Sequence, residues 1–296
     1  MKYENNILKN MKNKSFCVFI LTHGRPDNVL TYKTLKKCGY KGDIYFILDN
    51  EDNSVDKYIK NFGSENIIIF DKKEMADSMD EGNNFNNRKV IVHARNYTFK
   101  IAKELGIKYF LQLDDDYYEV IYKFTGIKGV RMPKNIDKIF DLMVQYLKSI
   151  PALSIAFSQT GDFIGGIDNG KGVYRFSKRK CMNSFFCSTD RYFQFLGSVN
   201  EDVNTYTTLA TRGGLFLTIP IMAINQKDSQ TQKSGMSDIY KSQGTYVKSF
   251  SSVLFHPSGV KASMMNANHK RIHHSIAWKN TTPMIIDDKY RVVNDD

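Results

Sequence analysis

Short apolar runs alternate with helical patterns through the first half of this 296-residue chain, and that alternation narrows its fold more than any other feature. Phe16–Leu21, residues 44–48, Ile67–Phe70 and residues 109–113 are too short for helices and almost unbroken in apolar character, which marks strands buried on both faces. Between them, residues 27–37 read as a helix opened by Pro26-Asp27 and ended by Gly39. Residues 55–62 form a second helix, closed by Gly63, and residues 90–105 a third, ending at Gly106. A polar, Asn-rich loop is expected over 71–87. Strands joined by helical crossovers pair in parallel, with helices on both faces. The expected fold class is therefore α/β, a Rossmann-type, mostly parallel sheet flanked by helices.

The second half breaks this rhythm. A helix over 135–149 and a strand over 153–157 continue it, but residues 158–190 are rich in Gly and basic residues, with a strand at 183–188. Residues 200–212 read as a helix capped by Asn200, with Glu201 and Asp202 in its first turn. A strand over 215–219 is interrupted by Pro220, and a polar loop follows over 225–237. With no repeat, linker or low-complexity tract, residues 1–296 read as a single domain. Its nucleotide-binding half is 1–125, and a mixed, acceptor-binding half covers 126–296.

The chemistry concentrates where open α/β sheets bind ligands, at the carboxyl ends of their strands. Asp114, Asp115 and Asp116 follow directly on the run Tyr109-Phe110-Leu111-Gln112-Leu113. Asp114 and Asp116 offer hard oxygen ligands suited to Mg²⁺ or Mn²⁺ carrying a diphosphate. Three carboxylates so close repel one another without a cation, although most short acidic runs are surface turns. Thr22-His23-Gly24-Arg25 follows the first strand, Asp49-Asn50-Glu51-Asp52 the second, and Ala94-Arg95-Asn96 opens the helix before the triplet. The absence of G-x-G-x-x-G and of a Walker loop argues against a dinucleotide enzyme or a P-loop NTPase and leaves a metal to hold the diphosphate.

Two later elements could complete a site. Asn200-Glu201-Asp202 places acids where a general base for an acceptor hydroxyl would serve, and where helix-dipole pairing would also put them. Asp202 is the favoured base over Glu201. In the segment 268–274, His273 is the chosen third metal ligand, against the alternative of a basic solvated strand.

Net charge is +11, from 42 Lys and Arg against 31 Asp and Glu, which bears on partners rather than fold. Lys178, Arg179, Lys180 and Arg191 lie near the Gly-rich 161–172 segment among aromatics, a pattern suited to tracking nucleic-acid phosphates. No run approaches the roughly 18 apolar residues of a membrane span, and the charged first residues lack the apolar core of a signal peptide. The four cysteines show no metal-binding spacing and read as reduced and structural. A soluble, cytoplasmic protein is expected.

An ARN helix, a strand ending in D-D-D and a later N-E-D resemble a GT-A glycosyltransferase. The ordered strings LDNED (48–52), LQLDDDY (111–117), GDFIGG (161–166), KRKCMNSFFCSTDR (178–191), NEDVNTY (200–206) and RIHHSIAW (271–278) resemble, more closely, the TET-associated glycosyltransferase family of phages. The resemblance implies a GT-A-like fold and transfer of a hexosyl or pentosyl group from a nucleotide-sugar, a UDP-sugar in the first instance. The acceptor would be a hydroxymethylated pyrimidine in phage DNA, modified in the host cytoplasm. By that analogy Asp114 and Asp116 hold Mn²⁺ or Mg²⁺, Thr22, Arg25, Asp49, Arg95 and Asp115 contact donor or nucleotide, and Asp202 is the base. Inversion and retention both stay open. The alternatives are a protein or polysaccharide hydroxyl as acceptor, a non-catalytic DNA-binding protein on the same fold, and a metal-dependent nuclease.

Overall fold

The computed structural model describes residues 15–79, 88, 90–123, 130–159, 180–182, 184–226, 236–266 and 270–283. In chain order these give β1 (Phe16–Leu21), α1 (Leu30–Lys37), β2 (Ile44–Asp49), α2 (Val55–Phe62), β3 (Ile67–Phe70), α3 (Lys72–Asp77), α4 (Val92–Glu104), β4 (Tyr109–Asp114), β5 (Tyr117–Tyr122) and β6 (Val130–Arg131). The second half supplies α5 (Ile136–Ser149), β7 (Ala152–Gln159), β8 (Ser184–Ser188), α6 (Glu201–Ala210), β9 (Leu215–Gln226), α7 (Met236–Phe255), β10 (Val260–Asn266), β11 (Lys270–Ile276) and α8 (Trp278–Thr281).

Among the described residues, nine strands form one sheet in the order β3-β2-β1-β4-β8-β7-β9-β5-β6, and β10-β11 form a separate antiparallel ribbon. The β3-β2-β1-β4 half is parallel throughout, as the strand–helix alternation predicts. Beyond β4 the sheet mixes directions: β8 runs antiparallel to both neighbours, β9 is parallel to β7, and β5 is antiparallel to β9. The expected α/β sheet is thus present, its parallel first half continuing into a mixed second half.

Alternation along β1 assigns the two faces. Phe16, Val18 and Ile20 belong to one apolar cluster, and Cys17, Phe19 and Leu21 to the other, as a period of two requires. On β4, Tyr109, Leu111 and Leu113 share the first face, while Phe110 lies on the second. Gln112, also on that second face, is fully buried; it donates to the Arg95 carbonyl at 3.1 Å and to Thr98 Oγ1 at 2.6 Å, both on α4. The four cysteines are free and buried. Among the described residues no helix is long and apolar enough to cross a membrane.

Three local expectations change. The stretch from residue 71, read as loop, holds α3, capped by Asp71 accepting from the Glu74 N–H at 2.9 Å; the short Asp-x-x-Glu signature carried that helix. Residues 80–87 lie outside the described residues. The strand at 215–219 does not stop at Pro220: β9 continues to Gln226, and pairing with β7 jumps from Phe157↔Ile219 to Ser158↔Ala223. Proline sits in this strand at a bulge, where its missing N–H interrupts no ladder bond. Asn200 adopts the left-handed conformation (φ 55°) and makes no side-chain cap to α6. Its amide instead donates to the Lys248 carbonyl and to Ser252 Oγ on α7.

Candidate active site

Strand register gathers the site. Leu21 of β1 pairs with Asp114 of β4, and Leu21 also pairs with Ile47 of β2, so three strands release their following residues along one edge. Asp114, with the same parity as Gln112, is directed to the α4 side of the sheet. There Arg95 Nη2 donates to Asp114 Oδ1 at 2.8 Å, and Arg95 Nε donates to Glu201 Oε1 at 2.8 Å. Arg95 is only 1% exposed, and Phe185 and Phe195 lie 5.3 and 5.7 Å from its guanidinium carbon. The neighbouring Asn96 exchanges hydrogen bonds with the backbone of Phe195, donating at 3.1 Å and accepting at 2.7 Å. The ARN helix is therefore tied to the triplet on one side and to the chain leading into Asn200-Glu201-Asp202 on the other.

Asp115 serves the β1 side. It accepts from Thr22 Oγ1 at 2.7 Å and from Arg25 Nη1 at 3.0 Å. Since Thr22 spends its proton on Asp115, Tyr58 Oη donates to Thr22 at 2.8 Å while accepting the Arg25 N–H at 2.8 Å. Tyr58 escaped sequence reasoning because a tyrosine in an amphipathic helix looks like core, which it also is. Asp49 is buried, and burial raises its carboxyl, but His23 at 2.8 Å and Lys72 at 3.2 Å outweigh that and lower it. The hydrogen bond to Asp49 in turn raises His23. Asp52 accepts the Gly24 N–H at 2.7 Å, fixing the loop after β1. Buried Lys72 was not foreseen either: one lysine among many carries no signal until α3 docks it beside Asp49.

On the acceptor side, Asp202 is buried at the start of α6, with Oδ1 accepting the Val203 N–H at 2.8 Å. Burial first, and then Glu201, raise its carboxyl to about 6, with Arg95 and Lys248 pulling the other way. His273 and His274 do come near this motif: the His274 ring lies 3.4 Å from the Asn200 amide. Both imidazoles, however, face Lys180, whose Nζ is 3.3 Å from His273 Nε2 and 2.8 Å from His274 Nε2. Burial, then Lys180, depresses His273 to about 4 and His274 to about 2. Lys180, expected on nucleic acid, thus stands against the pair, and it occupies the His273 nitrogen nearest to it.

Arg191 is also engaged within the protein. Its guanidinium donates to the carbonyls of Leu147, Ile150 and Ala152 at 2.8, 2.7 and 2.6 Å, closing the end of α5 onto β7. Arg191→Met should cost about 3 kcal/mol, because three half-buried carbonyls lose charge-assisted donors. Urea denaturation checks this, and an unchanged midpoint would remove the assignment. Lys178, Arg179 and the 161–172 segment lie outside the described residues.

Charge bears on a metal. Among the described residues, Asp114, Asp115, Asp116, Glu201 and Asp202 are faced by Arg25, Arg95 and Lys248, so full ionisation leaves the acids in excess of these cations. Burial, then Asp116, Glu201 and Asp115, accordingly push Asp114 up to about 7 against the pull of Arg95. A divalent cation fits that excess. Among the described residues no three His, Cys, Asp or Glu side chains form a metal-ligand group. A carboxylate pair completed by water and phosphate oxygens is the usual Mg²⁺ arrangement and needs no such cage.

A parallel β3-β2-β1-β4 half-sheet thus bears an acidic triplet at its edge and is joined to a mixed half that brings a Glu-Asp pair beside it. Solved structures similar to this chain include glucosyl-3-phosphoglycerate synthase from Mycobacterium tuberculosis in complex with Mn²⁺ and UDP-glucose (8% identity, TM-score 0.47, 92% of this chain and 90% of that one). Another is S. aureus TarS 1-349 (15% identity, TM-score 0.40, 77% and 62%). No curated protein matches. The model of the TET-associated glycosyltransferase family matches residues 16–235, and the chain belongs to that family.

Proposed function

We propose that this glycosyltransferase moves a sugar from a nucleotide-sugar, a UDP-sugar in the first instance, to the hydroxymethyl group of a modified pyrimidine in DNA. The observation that carries the reading is the ion-pair bridge Asp114–Arg95–Glu201, which sets the triplet beside Asp202. A donor-holding group and a base then share one site. The acceptor rests on the family and on the net charge of +11. On this reading residues 1–125 hold the donor and 126–296 the acceptor, in one domain.

Asp114 and Asp116 would hold Mn²⁺ or Mg²⁺, which supplies a counter-charge for the diphosphate. Asp115, fixed by Thr22 and Arg25, and Asp49, fixed by His23 and Lys72, present acceptor oxygens to sugar and nucleotide hydroxyls and base N–H groups. Asp202 takes the proton of the acceptor hydroxyl as that oxygen bonds to the anomeric carbon and the bond to the diphosphate oxygen breaks. A base in duplex DNA must leave the stack to reach such a pocket.

The test incubates the protein with hydroxymethylated or unmodified DNA and a panel of nucleotide-sugars, then digests to nucleosides for mass spectrometry. A glycosylated hydroxymethylpyrimidine supports the reading. Strand cleavage without donor would point to a nuclease, and donor turnover with a polysaccharide or protein only would move the acceptor. DNA affinity should fall by about 10³-fold between 50 and 200 mM salt, as for several phosphate contacts. Fluorescence anisotropy reads this, and a flat response would remove DNA as acceptor.

A further inference from the structure

We infer that Arg95 is a positioning residue that couples the donor and acceptor halves of the site, rather than a nucleotide contact. The inference rests on the glycosyltransferase reading above. At 1% exposure Arg95 is closed off from solvent, and its Nε and Nη2 donate to protein carboxylates, while Nη1 is buried with no partner among the described residues. One belongs to Asp114 at the end of β4, the other to Glu201 in the first turn of α6. The planar fork matches two acceptors at fixed relative angle, which a point-charge ammonium does not.

Further contacts fix Arg95 itself. Its carbonyl accepts from Gln112 Nε2 at 3.1 Å and from Thr98 Oγ1 at 2.7 Å. Phe185 and Phe195, packed edge-to-face on each other, lie against the guanidinium, and Asn96 holds the Phe195 backbone from the next position on α4. Glu201 is thereby oriented through its side chain, while its carbonyl accepts from Thr205 Oγ1 at 2.5 Å. Asp202 follows it in sequence, so its aim inherits the geometry of the bridge. In this arrangement Glu201 is committed to Arg95 and is no base; it is the second member of a positioning pair.

The test compares wild type with Arg95→Lys, Glu201→Gln and the double variant, measuring UDP affinity in Mn²⁺ by calorimetry, kcat for transfer, and donor hydrolysis by water without acceptor. We expect kcat to fall about 10- to 100-fold in each single variant, with UDP affinity within threefold of wild type. The double variant should lose little more than either single one, because the two side chains act through one bridge. A UDP affinity that falls in step with kcat makes Arg95 a nucleotide contact and overturns the inference, as do wild-type kcat in Glu201→Gln or additive losses in the double variant. Should Arg95→Lys fail to fold, Glu201→Gln alone decides, since it leaves the Asp114 pair in place. If wild type glycosylates no DNA, the acceptor reading fails, and donor hydrolysis still reads the bridge.

Discussion

Asp116→Asn lowers sugar transfer by about 10³-fold or more while DNA affinity stays near that of wild type. On the proposed reading Asp116 is one of two carboxylate ligands, and its loss would remove several kcal/mol of counter-charge to the departing diphosphate. Asp116 is the position to change because, after burial, its charge adds to the rise of the Asp114 carboxyl by repulsion. Removing it relieves like charge. Asp114→Asn would instead break the 2.8 Å pair and leave buried Arg95 with Glu201 as its remaining ion-pair partner among the described residues, confounding catalysis with stability. The measurement is transfer rate against Mn²⁺ concentration, with DNA binding by anisotropy and folding by thermal melt. Transfer at the wild-type rate with saturating metal would take the metal from Asp116. Lost DNA binding in a folded variant would mean the triplet contacts the acceptor instead.

How much of this site the sequence disclosed depended on the distance over which each contact acts. The parallel half of the sheet was legible because each βα unit is local: an apolar run, a helical pattern and a terminal glycine within about thirty residues. β4 and its aspartates inherited that clarity. The bridge was not legible, because Arg95 and Glu201 are 106 positions apart, and an arginine in an ARN string reads equally well as a phosphate ligand. Arg191 and Lys180 were misleading for a related reason. In a chain with 42 Lys and Arg, a cation beside aromatics looks like a nucleic-acid contact until the backbone carbonyls and imidazoles it meets are in place. Asn200 was read as a cap on local grounds, and its long-range bonds to α7 prevailed. Pro220 was read as a strand end, since a bulge that tolerates proline depends on the partner strand β7, not on the residues around it.

Asp202→Asn should lower transfer by about 10²- to 10⁴-fold, the usual contribution of a general base, with donor affinity and metal activation retained. The amide is isosteric and keeps an oxygen to accept the Val203 N–H that now bonds Oδ1 at 2.8 Å, so the start of α6 survives. The pH dependence gives the sharper test. Burial raises the Asp202 carboxyl from 3.8 to about 6, with Glu201 adding to the rise and Arg95 and Lys248 opposing it. A base acts only when ionised, so wild-type kcat should climb tenfold per pH unit below about 6 and level above it; in Asp202→Asn that limb should be gone. Stability runs the other way: a raised carboxyl favours the folded state at pH values below its unfolded pKa, and that contribution is lost as pH rises through 6. Activity and stability attributed to this one side chain must therefore change in opposite directions across pH 4 to 6. A limb near 6 that persists in Asp202→Asn would place the base on another group, and a rate limb that follows the melting temperature would make it an unfolding effect.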